Sequence, residues 1–414
     1  MAIAGAGPAG LAAALYLVKK RPHLAGRIIA IEKSAHPRFK VCAGGLIPKT
    51  MLALDELGIA LDVPAVEVIR GEAATPVGGV DLSRGGDVLA TVIRRDRFDA
   101  MLARAARAAG VEIVERTRVL GITQDAGGVR ILTDGHIYQA LVLVGGDGSG
   151  SRVRRAVFGF VARKEKIGRA LMTDVAVDPE RTPEFTGKRY RFDFRCVSGG
   201  IKGYSWSFPC LIGGVPHLNV GIYDQRPRDF HQRPRNFTEN GGEQSRMIAE
   251  LVAAFPELPL DGLKGRATTT RWHSFPIRWF DAADSYASGR VILAGDAAGV
   301  DPLMGEGISC AFEHGKLAAN AIVKFLDGDG GALRDYDRAL HEDAVGKKMN
   351  KLAFAARHFY GPRNKLFFRL ARVSRRAQEI GVDWYNGTRH LDEVPTRRLI
   401  ARWASAVLLG DSVR

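Results

Sequence analysis

Cysteine is scarce in this chain. Its four thiols, Cys42, Cys196, Cys210 and Cys310, form no CxxC pair and no Cys/His group at zinc spacing. A disulfide-stapled scaffold and a structural metal centre are therefore excluded, and a reducing, cytoplasmic setting is expected. Long apolar runs are missing as well: none approaches the ~18–20 residues that span a bilayer. Acidic residues are in deficit, 45 against 60 Lys and Arg, for a net charge of +15 over 414 residues. Such a surplus suits nucleic acid, an anionic membrane surface or a phosphate-bearing ligand. No helix-turn-helix, zinc-finger or RNP pattern appears, which removes the first of these. Internal repeats and low-complexity tracts are also lacking, so the length points to two lobes or one large α/β domain with an insertion.

Glycine, in contrast, is abundant, with 48 residues; a chain so rich in it makes many tight turns and close backbone approaches. The first cluster is GAGPAG, Gly5 to Gly10, between a short strand and an Ala/Leu-rich helix from Leu11 to about Lys20. Gly5 suits the tight turn, Gly7 the close approach of backbone to a pyrophosphate, and Gly10 the packing of helix on strand. Pro8 fits the first helical turn, beside Ala9, and the free amides there attract phosphate. A second strand, Arg27 to Glu32, ends in an acid 22 residues after Gly10, where a carboxylate holds a ribose hydroxyl; Lys33 follows it. In this strand–turn–helix–strand setting the motif predicts dinucleotide binding. Only Met1 to Ala4 precede the turn, so no leader is expected, and the native start is expected a few residues upstream.

Further along, a helix is expected over 96–110, ending at Gly110, then short strands near 111–114, 119–123, 128–133 and 140–145. Residues 171–225 read as β-rich, with Leu218, Val220 and Ile222 alternating. A polar loop (225–246), a helix from about Glu243 to Phe255, a buried strand at Val291 to Ala294 and a helix from Ile308 to about Phe325 follow. From Asp335 the pattern is helical, broken at Gly361-Pro362 and around Pro395.

Three more segments resemble those of FAD enzymes of the p-hydroxybenzoate hydroxylase type. Arg95-Asp-Arg-Phe98-Asp99 resembles the arginine-then-helix segment near the flavin pyrophosphate. Gly146-Asp147-Gly148, after the apolar LVLV strand, resembles the DG motif. Gly295-Asp296-Ala297-Ala298, followed by Asp301-Pro302-Leu303-Met304-Gly305-Glu306-Gly307-Ile308, resembles the segment whose Asp contacts the ribityl chain. A helix N-terminus there stabilises negative charge on a reduced flavin. Two further stretches, Lys40-Val-Cys42-Ala43-Gly44-Gly45-Leu46 and Tyr204-Ser-Trp206-Ser-Phe208-Pro209, are similar to loops of the geranylgeranyl reductase family. The resemblance covers about residues 1–325. The chain departs from the family at Ala43 and at Cys210, where many members carry Gly and Lys. It also fails to match the W-x-W-x-I-P run of flavin-dependent halogenases.

The resemblance implies an α/β fold, with a Rossmann-like FAD lobe interleaved with a mixed-sheet substrate lobe and a helical C-terminal region. The expected division is 1–60, 95–170 and 285–325 for FAD, 61–94 and 171–284 for substrate, and 326–414 for the helices. It implies FAD as cofactor, with NAD(P)H or another reductant recharging it, held by Gly5, Gly7, Pro8, Ala9, Gly10, Glu32, Lys33, Cys42, Ala43, Gly44, Arg95, Val119, Asp147, Gly148, Asp296, Gly305, Gly307 and Ile308. The implied activity is reduction of a double bond in an isoprenoid or other apolar small molecule. A same-fold monooxygenase and a non-catalytic flavoprotein remain the alternatives. Cys42, Tyr204 and Trp206 are the candidate catalytic or pocket residues. Cys42 is read equally as a proton relay or a small buried residue. Tyr204 and Trp206, two apart on a strand, share one face with Phe208: a pocket wall or plain core, with Pro209 ending the row. Lys40 is expected in solvent, His273 and His314 as structural residues, and Glu306 as a helix cap. In the C-terminal segment the stretches Lys365-Leu-Phe-Phe-Arg-Leu-Ala-Arg and Arg398-Leu-Ile-Ala-Arg-Trp-Ala mix basic and apolar faces. They suit either peripheral contact with an inner membrane surface or, as expected, a helix docked on the main body.

Overall fold

Short, wholly apolar strands build the first layer. Ala2–Ala4, Ile29–Ile31, Leu143–Gly145 and Val291–Leu293 are buried almost throughout, as parallel strands covered on both faces must be. The computed structural model describes residues 1–159, 166–225, 240–260, 272–373 and 375–388. In it these strands, with Glu112–Val114 and the edge hairpin strand Ala287–Ser288, form one six-stranded sheet. Ala2–Ala4 lies at its centre, parallel to both neighbours. The first helix, Pro8–Lys20, is buried from Pro8 to Leu17. Its small residues admit the helix Ile308–Leu326 at close range: a Cβ on Gly315 would lie 2.7 Å from the Ala13 amide nitrogen.

The second layer is a seven-stranded mixed sheet, in the order His273–Arg278, Ile167–Ala176, Val215–Asp224, Gly203–Ile212, Arg189–Asp193, Arg70–Thr75 and Gly78–Asp81. Only Arg189–Asp193 and Arg70–Thr75 pair in parallel. Strand periodicity separates its faces. Leu218, Val220 and Ile222 pack with Met247 and Leu251 of the helix Asn240–Ala254, while Tyr204, Trp206, Phe208 and Tyr223 crowd the opposite face. The boundary expected at residue 170 falls inside the strand Ile167–Ala176, all of which belongs to this sheet. Pro209 does not end its strand, contrary to expectation. It pairs with Leu218, and the strand's other neighbour is paired only as far as Ser207, so the missing N–H falls on an open side.

Helices Ala332–Glu342, Ala344–Phe359, Asn364–Val373 and Arg375–Asn386 complete the described chain, broken at Gly361-Pro362 as the sequence predicts. The last two are docked on the main body. Arg372 donates to the Val77 and Gly79 carbonyls, Arg375 to Asp81, and Arg84 binds Asp383 through two nitrogens at 2.7 and 2.9 Å. The Arg398 stretch, Pro395 and most of the polar 225–246 segment lie outside the described residues; the helix at its end starts at Asn240, three residues earlier than expected. Among the described residues no helix is long and apolar enough to cross a membrane.

Candidate functional site

One continuous cavity of about 1030 Å³ runs from the glycine turn of the first sheet to the aromatic face of the second. That lies at the upper limit of small-molecule pockets, which are roughly 300–1,000 Å³.

At one end the backbone makes the wall. Gly5 has φ +96°, and a Cβ there would lie 2.5 Å from the Gly146 carbonyl oxygen. Ala6 between the glycines is held on both sides: its N–H donates to Glu32 at 3.0 Å and its carbonyl meets His36 Nε2 at 3.0 Å. His36 in turn contacts Glu115 at 2.8 Å. Burial opposes ionisation of Glu115, but hydrogen bonds from Arg107 and His36 prevail and hold it down at about 2. Gly10 faces away from the cavity; its Cβ would lie 2.0 Å from Gly5 O and 2.8 Å from Ile3, so it serves helix–strand packing. Every other residue expected to hold FAD lines the cavity.

Several charged side chains there are already engaged. Arg95 makes a two-pronged pair with fully buried Asp99 at 2.8 and 3.0 Å. Asp147 accepts from Ser151, Arg152 and Val153 at 2.5 to 3.2 Å, so its carboxylate caps the helix Arg152–Phe158. Asp296 accepts from Ser149 at 3.2 Å. Glu306 caps the helix Ile308–Leu326 by accepting from the Ser309 amide at 2.7 Å, as the sequence predicts. His314 is structural, accepting from the Gly295 amide at 3.1 Å, and burial pushes its pKa down to about 4.

Lys40 does not stand free in solvent: its side chain is 18% exposed. Its Nζ sits 3.3 Å from the Phe275 ring centroid and 3.9 Å from Asp296. Burial drives its pKa down to about 8, against the pull of Asp296; the contact with Phe275, distant in the chain, is invisible in the local sequence. Arg38, which belongs to none of the motifs, lines the cavity too. It reaches Asp99 at 3.2 Å and Glu32 at 3.5 Å, and its buried Nε has no hydrogen-bond partner.

These features fit a dinucleotide. A Cβ on Gly7 would meet only the mobile end of Arg38, at 3.3 Å, and one on Gly148 would meet nothing within 4 Å. The cradle is open where phosphates approach. The first helix has neither a side-chain cap nor an acid in its first turn, so its amides and partial positive charge face the cavity. Arg38, Arg95 and Lys40 add cations.

At the other end side chains make the wall. Tyr204, Trp206 and Phe208 line the cavity, joined by Tyr190 and Phe192, with ring centroids 5.2 Å apart for Tyr190–Phe208 and 5.3 Å for Phe192–Tyr204. Glycines on neighbouring strands make the rings fit: a Cβ on Gly221 would lie 2.2 Å from the Trp206 ring. Trp206 Nε1 donates to Asn219 at 2.8 Å. Tyr204 donates to the Met304 carbonyl, and burial pushes its pKa well above the ordinary range. Cys42 is only partly buried and lines the cavity between the two ends, its sulfur accepting from the Gly44 amide at 3.3 Å. Cys210 is buried and absent from the lining, and burial pushes its thiol up to about 12.

The C-terminal helices close the aromatic end, which no motif foretold. Phe359 and Phe368 line it, Phe368 lying 5.5 Å from Phe194; Trp384 and Tyr385 line the cavity as well, packed against the core of the first sheet. Tyr385 donates to buried Asp301 at 2.8 Å, and Tyr360 donates to the Leu303 carbonyl at 2.6 Å. Both tie these helices to the Asp301–Gly307 loop.

Comparison with known proteins agrees with this geometry. The family model described as FAD binding domain matches residues 1–345. A menaquinone reductase of Mycolicibacterium smegmatis is 27% identical over 352 residues, 81% of this chain and 78% of its own. A digeranylgeranylglycerophospholipid reductase of Methanocella arvoryzae is 26% identical over 372 residues, 84% of each chain. The crystal structure of a geranylgeranyl bacteriochlorophyll reductase-like protein from Thermoplasma acidophilum superposes with a TM-score of 0.72 at 22% identity, over 96% of this chain and 98% of that one.

Proposed function

Because the chain belongs to the FAD binding domain family and is an FAD-dependent oxidoreductase, we propose that it reduces a carbon–carbon double bond of an isoprenoid or another apolar small molecule, such as the prenyl side chain of a quinone or lipid. The observation that carries this reading is the single cavity, in which a phosphate cradle opens onto an aromatic wall. We assign the cofactor end to residues 1–60, 95–166 and 285–325, with Gly5, Gly7, Pro8, Ala9, Glu32, Lys33, Arg95, Val119, Asp147, Gly148, Asp296, Gly305, Gly307 and Ile308 around FAD. Residues 61–94 and 167–284, with the C-terminal helices, serve the substrate.

When bound, FAD supplies the hydride, drawn from NAD(P)H or another reductant. The chain's own work is placement and proton supply. The first helix and Gly7 bring backbone amides to the pyrophosphate. Asp296 would accept hydrogen bonds from the sugar-like chain. Tyr204, Trp206 and Phe208 hold the prenyl chain by apolar contact and exclude water. Tyr204, committed to Met304, positions the Asp301–Gly307 loop rather than acting as an acid. Hydride would pass to one carbon of the double bond, and Cys42, in the loop between the two ends, is the group that hands a proton to the other, its thiolate then taking a proton from water. An isoprenoid substrate resides in a bilayer, so we also place the protein at the periphery of a membrane on its cytoplasmic side.

The test is anaerobic turnover of reduced holoenzyme with menaquinone and with geranylgeranyl lipids, read by mass spectrometry. Gain of two hydrogens per double bond is expected, and Cys42→Ser should slow that step while leaving flavin reduction unchanged. A product carrying an added oxygen atom on admission of air would replace this reading by a monooxygenase. A flavin that no reductant or substrate discharges would leave a non-catalytic flavoprotein.

A further inference from the structure

From Ala344 to Gln378 the chain has no Asp or Glu and ten Lys or Arg. Four of the ten are engaged. Lys348 is buried and donates to the Tyr385 carbonyl at 2.6 Å; Arg372 holds backbone carbonyls, and Arg375 and Arg376 pair with Asp81 or Glu379. The other six, Lys347, Lys351, Arg357, Arg363, Lys365 and Arg369, are exposed and have no ion pair among the described residues.

These cations surround apolar side chains that point outward. Phe354 is 61% exposed and Leu366 50%. The helical repeat puts Lys347, Lys351 and Phe354 on one face of Ala344–Phe359. His358 continues that face, 4.3 Å from Phe354 and stacked at 4.4 Å on Phe367 of the next helix, so the two helices present one surface. Their inward faces carry Ala355, Phe359, Phe368 and Ala371, which line the aromatic end of the cavity. Two helices thus separate an exposed basic, apolar surface from the substrate wall.

We propose that this face of helices Ala344–Phe359 and Asn364–Val373 docks on an anionic lipid bilayer, with Phe354 and Leu366 entering the acyl boundary and the six free cations meeting head-group phosphates. Charge complementarity selects the occupant: the two helices carry no acid of their own to repel a phosphate, and bulky apolar residues among cations suit a lipid interface. A nucleic acid backbone would use the charges but leave Phe354 and Leu366 without a partner. The proposal gives a purpose to the isoprenoid reading and rests on it only there, because docking is measured without turnover.

The experiment is co-sedimentation of holoenzyme with vesicles of phosphatidylcholine alone and of phosphatidylcholine containing one third phosphatidylglycerol. Each cation near an anionic surface is worth a factor of about five in partitioning. Reversing three, in Lys351→Glu/Lys365→Glu/Arg369→Glu, should therefore lower binding at least about a hundredfold while the yellow flavin is retained. Phe354→Asp should lower it at neutral overall fold. Equal binding to the two vesicle types, or unchanged binding by the triple variant, overturns the proposal. A wild-type holoenzyme that ignores anionic vesicles but shifts a DNA or RNA duplex overturns it in favour of nucleic acid. Should the triple variant lose its flavin, the lipid and salt dependence of the wild type decides alone.

Discussion

The two ends of the cavity are built on different principles. The cofactor end is a wall of backbone: a glycine turn, two helix N-termini and a DG turn, with charged side chains that mostly brace one another, as Arg95 and Arg38 share Asp99. The aromatic end is a wall of side chains, from the strands Arg189–Asp193, Gly203–Ile212 and Val215–Asp224 and the helices Ala344–Phe359 and Asn364–Val373. Backbone recognition restricts which residue can stand at a position, because a Cβ at Gly5 would strike the Gly146 carbonyl. A wall of rings restricts only size and apolarity. The first end should therefore fail sharply on single changes and the second gradually.

The largest expected effect lies at Gly7. A valine there meets only the mobile end of Arg38 within the protein but enters the path of the pyrophosphate. FAD affinity should fall at least ~100-fold, about 3 kcal/mol, while the apoprotein melts within a few degrees of wild type. Titration of apoprotein with FAD checks this. A Gly7→Val protein that stays yellow would break the claim that backbone makes this end.

Trp206→Ala comes next. The ring is 5% exposed and packs over Gly221, so turnover should drop at least about tenfold while FAD affinity changes less than about threefold. The reverse split, with FAD lost and turnover per bound flavin kept, would make the two ends one unit and erase the distinction.

This difference also explains what the sequence made legible. The four cofactor segments are contiguous, and each carries its reason locally: a positive φ at Gly5 and Gly305, a close approach at Gly10, an acid at the end of a strand. Tyr204 and Trp206 were readable through strand periodicity. Phe359, Phe368, Trp384 and Tyr385 were not, because an aromatic on an amphipathic helix looks the same whether it packs on a core or closes a pocket. Lys40 misled for a related reason. It lies over the ring of Phe275, 235 positions away in the chain, and nothing within its own loop announces that. Pro209 misled because its strand has an open side that only sheet order reveals.

Asp296→Ala should be milder than Gly7→Val, since it removes one acceptor and leaves the cradle. FAD affinity is expected to weaken roughly tenfold, about 1.4 kcal/mol, with the fold intact by circular dichroism. An affinity equal to wild type would mean that the Gly295–Ala298 turn contributes only backbone.

The smallest effect tests the joint between the two ends, where Tyr385 of the last described helix donates to Asp301 of the cofactor-side loop. Burial pushes the Asp301 carboxyl up to about 6, and the bonds from Leu303 and Tyr385 hold it from rising further. An unfolded Asp titrates near ~3.9, so between about pH 4 and 6 the native state binds more protons than the unfolded one, and this residue's contribution to stability falls as pH rises. Above that window the carboxylate is ionised and buried, and the hydroxyl of Tyr385 matters most. Tyr385→Phe removes it, which raises the native pKa further, deepens the fall and moves its upper edge to higher pH. The variant should therefore be about 1 kcal/mol more destabilised relative to wild type at pH 8 than at pH 4, a difference of a few degrees or less in Tm for a chain of this size. Melting both proteins at the two pH values decides it. A constant gap would show that Tyr385 contributes packing alone, and that the C-terminal helices cover the aromatic end without being electrostatically tied to the loop beside the cofactor.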